Sequence, residues 1–133
     1  MISEKTVELN LTTELLNYLG GLTNQVHYVL APSQQQEGKL GYDAAIHNSG
    51  GAIYIQYKRA YVNRSVWSWH INYTSSHDQH SKLLQLESGG GLVFYAFPYF
   101  NTPKDIATKR RRLLLQTFWF KPSGISIPPP TNE

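Results

Sequence analysis

Asp43, Gln56 and Lys58 are the residues whose types and spacing could do chemistry in this chain. Gln56 and Lys58 stand two positions apart in the apolar run Ala52-Ile53-Tyr54-Ile55-Gln56-Tyr57-Lys58. On a strand such residues share a face, so Tyr54, Gln56 and Lys58 point one way and Ile53, Ile55 and Tyr57 the other. Asn48-Ser49-Gly50-Gly51 is a turn signal of the kind that joins antiparallel neighbours, which sets Tyr42–Ile46 beside Ile53–Lys58 and Asp43 near both polar residues. A carboxylate and an amide oxygen are hard ligands suited to Mg²⁺. The neighbouring ammonium could orient or deprotonate an attacking water, or stabilise charge that develops on a phosphate. Metal-assisted phosphodiester hydrolysis needs those parts. The plain alternative is a turn aspartate after Gly41 and a solvated lysine next to Arg59 at a strand end.

The elements around this hairpin decide what it can use. Ser3 to Leu19 is predicted to be a helix, with Val7, Leu11, Leu15, Tyr18 and Leu22 at spacings of three or four and Gly20-Gly21 as a stop. At about 100° per residue Glu8 falls on the apolar side, near Leu11 and Leu15; Glu4 shares that side and Glu14 points sideways. A core-facing carboxylate needs a partner, which a metal site or Lys58 would provide, unless the helix start is exposed and the acids merely suit its dipole. Gln25–Leu30 reads as a strand closed by Pro32, and the following polar loop carries Glu37, an acid more simply solvated. Val66–Tyr73 alternates Trp67, Trp69 and Ile71 against Ser68 and His70, which predicts a further strand beside the hairpin. Ser75-Ser76-His77-Asp78-Gln79 opens a second helix to about Leu86, where His77 and His80 share a face but lack further ligands. Leu92–Phe97 is apolar on both faces and belongs mid-sheet, beside the strand of Lys58. Thr102-Pro103-Lys104-Asp105 starts a third helix that leads through a basic run to a last strand ending at Phe120.

An Asp, about a dozen residues, then Gln-x-Lys on the next strand resembles the core of the PD-(D/E)XK nuclease superfamily, with Gln56 where the family usually has Asp or Glu. The order helix, three strands, helix, strand over roughly the first hundred residues is that of its αβββαβ core. The resemblance implies an α/β, restriction-endonuclease-like fold, a mixed sheet flanked by helices. It implies Mg²⁺ (or Mn²⁺) held by Asp43, Gln56 and Glu8, with Glu4 as the second choice on the helix, and Lys58 acting on the nucleophile or the phosphate. Asp43, Gln56, Lys58 and Glu8 are thus the expected catalytic set of a DNA-cutting enzyme, for which defence or restriction is the commonest family setting. Gln79 or His80, on the helix after the hairpin, would reach the same site. Gln56 in place of a carboxylate also fits a catalytically inactive nucleic-acid-binding or scaffold domain of the same fold. An α/β interaction domain with an accidental motif is the third alternative.

With 133 residues the chain has room for one core, burying roughly 60–70% of its unfolded surface. One domain over 1–121 is expected, followed by a Pro-rich tail or linker over 122–133; a homodimer or a further domain on the C-terminal side stays open. The chain lacks cysteine, which excludes thiol catalysis, disulfides and cysteine-zinc sites. No run approaches the ~18 apolar residues of a membrane helix, and Met1-Ile2-Ser3-Glu4-Lys5 has no signal-peptide character, so a cytoplasmic protein is expected. The formal charge of +3 is clustered at Lys58-Arg59, Arg64 and Lys109-Arg110-Arg111-Arg112. Arg59, Arg64, Lys109, Arg110, Arg111 and Arg112 would hold a phosphate backbone, unless the run of four is a solvated helix end.

Overall fold

A computed structural model describes residues 1–33, 35–36, 40–72 and 78–126. The first helix, α1 (Glu4–Thr23), is capped by Ser3, whose side chain accepts the Thr6 N–H. Strands β1 (Tyr28–Leu30), β2 (Ala44–Asn48) and β3 (Gly51–Tyr57) follow, then a short hairpin of β4 (Tyr61–Asn63) and β5 (Val66–Ser68). The second helix, α2 (Gln79–Ser88), precedes β6 (Leu92–Pro98); α3 (Pro103–Lys109) and β7 (Thr117–Phe120) complete the regular elements. The main sheet is mixed, in the order β1-β2-β3-β6-β7, with β3 and β6 parallel and the other neighbours antiparallel. The protein is therefore α/β, a five-stranded sheet with helices on both faces.

Strand alternation divides the core. Ile55 and Tyr57 on β3 join Ala44 and Ile46 on β2, Ala96 on β6 and Val7 and Leu11 on α1. Tyr54 packs the opposite way, with Val93, Tyr95 and Phe97 of β6 and Leu83 and Leu86 of α2. The parallel pair β3–β6 needs a crossover, and the β4–β5 hairpin and α2 supply it. None of the helices among the described residues is long and apolar enough to cross a membrane.

Several expectations need correction. α1 runs through Gly20-Gly21 and stops at Asn24, whose left-handed φ of 55° and N–H to Gly20 O close the helix. Two glycines near a helix end weaken it by only about 1 kcal/mol each, too little to end it. Tyr18 and Leu22, placed on the buried side, are exposed; Leu15, Leu16 and Leu19 carry the contact of this end of α1 with the core. β1 covers only Tyr28–Leu30, and Val26 is 88% exposed. The tryptophan run does not join the main sheet: β5 pairs with β4 alone, around a turn at Arg64-Ser65. Asp78 caps α2 by accepting the Ser81 N–H; the serines and His77 expected there lie outside the described residues, as does Glu37. Residues 122–125, assigned to a tail, pack on α2: Pro122 is buried and Ser123 bonds both Glu87 oxygens. The triple proline lies outside the described residues.

Candidate active site

The hairpin β2–β3 carries the site. Its register, Ala44↔Ile55 through Asn48↔Gly51, closes on the two-residue turn Ser49-Gly50, where the Gly50 N–H donates to Asn48 Oδ1 at 2.7 Å. Continued one step, the register sets Asp43 opposite Gln56. Ala44 and Ile55 face α1, so alternation turns Asp43 and Gln56 to the other face together. Gly41 makes this entry into β2 feasible. Its φ is +84°, and a Cβ there would meet Lys82 Cβ at 3.0 Å and Gln79 O at 3.4 Å, against the first turn of α2.

Asp43 is tied to the end of β3. Its N–H donates to Ile55 O, and its Oδ2 accepts the Tyr57 N–H, both at 2.9 Å. Gln56 is 2% exposed. Its Nε2 donates to Tyr57 O at 3.3 Å, which fixes the amide orientation, since a carbonyl can only accept. Among the described residues, Gln56 Oε1 is a buried side-chain atom without a hydrogen-bond partner. Lys58 is 5% exposed, and its Nζ donates to Gln79 Oε1 at 2.9 Å.

Gln56 and Lys58 open on a polar pocket of about 350 Å³, whose other lining residues are Glu4, Arg59, Tyr61, His70, Asn72 and Gln79. Glu4 comes from the first turn of α1. Glu8, the helix residue expected first, instead pairs with Lys5 at 2.8 Å and lies near Tyr57, one turn deeper along α1. The Tyr57 hydroxyl is kept protonated by burial, despite its 2.6 Å bond to Thr12, with Glu8 and Asp43 adding to the effect. Arg59 also belongs to the pocket, whereas Arg64 sits at the tip of the β4–β5 hairpin, exposed, with a φ of 51°.

Lys109–Arg112 lies elsewhere. The Arg111 and Leu114 N–H groups donate to the Glu14 carboxylate, ten residues along α1 from Glu4 and so on the order of 15 Å from the pocket. Gln79 reaches the site through Lys58, while His80 turns inward, 3% exposed, and shares a 2.8 Å hydrogen bond with the Tyr95 hydroxyl. Desolvation holds the His80 imidazole below its ordinary value, against the pull of Asp78 and Glu87.

The pocket gathers two cations, an acid and amide groups, with Gln56 and Lys58 buried at its base and Glu4, His70 and Asn72 exposed at its rim. Such a set suits an anion at Lys58 and Arg59, and a hard cation at the oxygens of Gln56 and Glu4, with Asp43 beside the pocket, just before β2 and opposite Gln56. No group of three His, Asp or Glu side chains able to hold a metal occurs among the described residues. The aromatic and amide lining, Tyr61, His70 and Asn72, was not anticipated; their closeness follows from the β4–β5 hairpin, which the sequence signals only through its flanking aromatics. Comparison with protein-family models, curated proteins and solved structures gives no match for the chain.

Proposed function

We propose that this chain is a metal-dependent nuclease domain of PD-(D/E)XK type, with a restriction-endonuclease-like core, that hydrolyses phosphodiester bonds in DNA. The observation that carries this reading is Gln56 Oε1, buried without a partner beside Lys58 and across from Asp43. Leaving such an acceptor unsatisfied costs about 1–3 kcal/mol. A hard cation relieves that cost. With the separate β4–β5 hairpin set aside, the succession α1, β1, β2, β3, α2, β6, with β3 and β6 parallel, supports the core assignment.

Gln56, Asp43 and Glu4 would hold Mg²⁺ or Mn²⁺, their oxygens being the donor type such ions take. When bound, the metal supplies positive charge to a phosphoryl oxygen and acidifies a water. The side chains do the rest. Lys58, steadied by Gln79, holds its ammonium at the pocket wall, where it stabilises negative charge growing on the phosphate. Asp43 locks the end of β3 through the Tyr57 N–H and so fixes the direction of Gln56 and Lys58. Arg59 gives the phosphate a second cationic contact.

A binding-only domain of the same fold is favoured by one specific observation, the neutral residue 56 with no three-ligand His, Asp or Glu group among the described residues. Labelled DNA incubated with the protein in Mg²⁺ or Mn²⁺ separates the two. Metal-dependent cutting that falls about 10²–10³-fold in Lys58→Ala, and is also lost in Asp43→Ala, is the nuclease outcome. Binding without cutting by the native protein establishes the second reading, and neither binding nor cutting removes both.

A further inference from the structure

The polar pocket has an aromatic wall that phosphate chemistry does not require. His70 stacks on Tyr61 with ring centroids 4.0 Å apart and planes 8° from parallel. Arg59 braces Tyr61 from the side: its Nε donates to the Tyr61 hydroxyl at 3.0 Å and its Cζ lies 5.0 Å from the ring centroid. All three residues line the pocket with Gln56 and Lys58. The hairpin creates this arrangement. Tyr61 opens β4 opposite Ser68 of β5, and His70 follows two residues later, so the two rings meet at the open end of the pair.

Tyr61 and Arg59 are half-buried whereas His70 is exposed. The stack therefore has a braced inner ring and an accessible outer one. Aromatic rings beside cationic side chains are how proteins hold single-stranded nucleic acid, because every base offers a π-face and the cations follow the backbone. In an intact duplex the base faces are covered by their neighbours, and only an unpaired base can present one to a side chain.

We infer that the pocket takes an unpaired nucleotide, its base stacked on His70 while its phosphate meets Lys58 and Arg59. The substrate is then a single strand or a frayed end, not an intact duplex. Its size agrees, since 350 Å³ falls in the range of roughly 300–1,000 Å³ of small-molecule sites. This assignment rests on the nuclease reading and names the substrate class of the same site.

Fluorescence anisotropy in EDTA, with the full chain, tests it on three probes: a labelled dT 12-mer, a 12-mer of abasic sites, and a 12-bp duplex. His70→Ala is expected to weaken dT 12-mer binding at least about fivefold and to leave the other two probes unchanged, and His70→Phe to restore it. Undiminished dT 12-mer binding by His70→Ala, or no recovery with phenylalanine, overturns the inference. Duplex binding insensitive to His70 together with such a result leaves the nuclease reading standing. Native protein that binds none of the probes also overturns the inference, and the cleavage assay in Mg²⁺ or Mn²⁺ then decides the nuclease reading by itself.

Discussion

Two concavities use alternate residues of the same strand. Ile53 and Ile55 of β3 line an apolar one of about 460 Å³, together with Leu15, Tyr18, Phe94, Leu114 and Trp119; Gln56, with Lys58 just past the end of β3, lines the polar one of about 350 Å³. The apolar concavity is the larger, yet its lining offers little chemistry beyond Arg111. It marks where α1 and the segment before β7 fall short of filling the space over the sheet, with Leu115 left 83% exposed. Its cost is missing dispersion contacts. The polar pocket costs more per atom, because it takes an amide and an ammonium out of water and leaves an acceptor unmatched. A core shaped by packing alone would not hold Gln56 and Lys58 there. The chemistry of a lining, more than its volume, separates a site from a packing gap.

Substitutions at the two linings should act on different properties. The largest effect on stability belongs to the apolar side: Ile55→Ala, at a fully buried position, should cost about 2–5 kcal/mol in urea unfolding. A loss below about 1 kcal/mol would mean that the lining collapses easily and is not a fixed feature of the core. In the opposite direction, Leu15→Phe should fill part of the gap and add about 0.5–2 kcal/mol, leaving the DNA cleavage proposed for the polar pocket unchanged. A change in cleavage would couple the two concavities and blur the distinction drawn between them.

The smallest effect concerns His80, whose backbone N–H donates at 3.0 Å to the carbonyl of Asn72, a residue of the polar pocket's lining. Because burial lowers the folded-state pKa of His80 below its ordinary 6.5, the unfolded chain binds the proton more readily. The stability is complete above that ordinary value and is lost as the pH falls through the folded-state pKa. Urea midpoints at about pH 7.5 and about pH 5.5 should therefore differ in the native protein and differ less in His80→Gln. Equal pH dependence in both would assign the slope to other groups.

How much of this could be read from the chain depends on which rule governed each residue. Period-two alternation put Gln56 and Lys58 on one face, and the Asn-Ser-Gly-Gly turn set Asp43 against them, because both signals are local. The capping box of α3 was equally local, with Thr102 accepting the Asp105 N–H and Asp105 bonding the Thr102 N–H. The β4–β5 hairpin was hidden, since its turn uses Arg64-Ser65 at φ of 51° and 64° where Asn-Gly is usual. With it went the Tyr61–His70 stack. The choice between Glu4 and Glu8 was also illegible, because helical periodicity gives the side of α1 but not the height at which the helix meets the end of β3. The clasp of Glu14 on the backbone of the basic run joins residues about a hundred positions apart, and no local pattern announces it.

The central claim is that Gln56 Oε1 is held without a partner for a cation, and the Mn²⁺-induced stabilisation of three proteins measures this most directly. Native protein should gain on adding Mn²⁺, by about 2.7 kcal/mol at a hundredfold excess over Kd. Gln56→Leu should be more stable than native in EDTA, having no unsatisfied acceptor, and should lose most of the Mn²⁺ gain. Gln56→Glu should be less stable in EDTA and gain more than native with Mn²⁺, its carboxylate being the stronger ligand. Equal Mn²⁺ shifts in the three proteins would contradict the account.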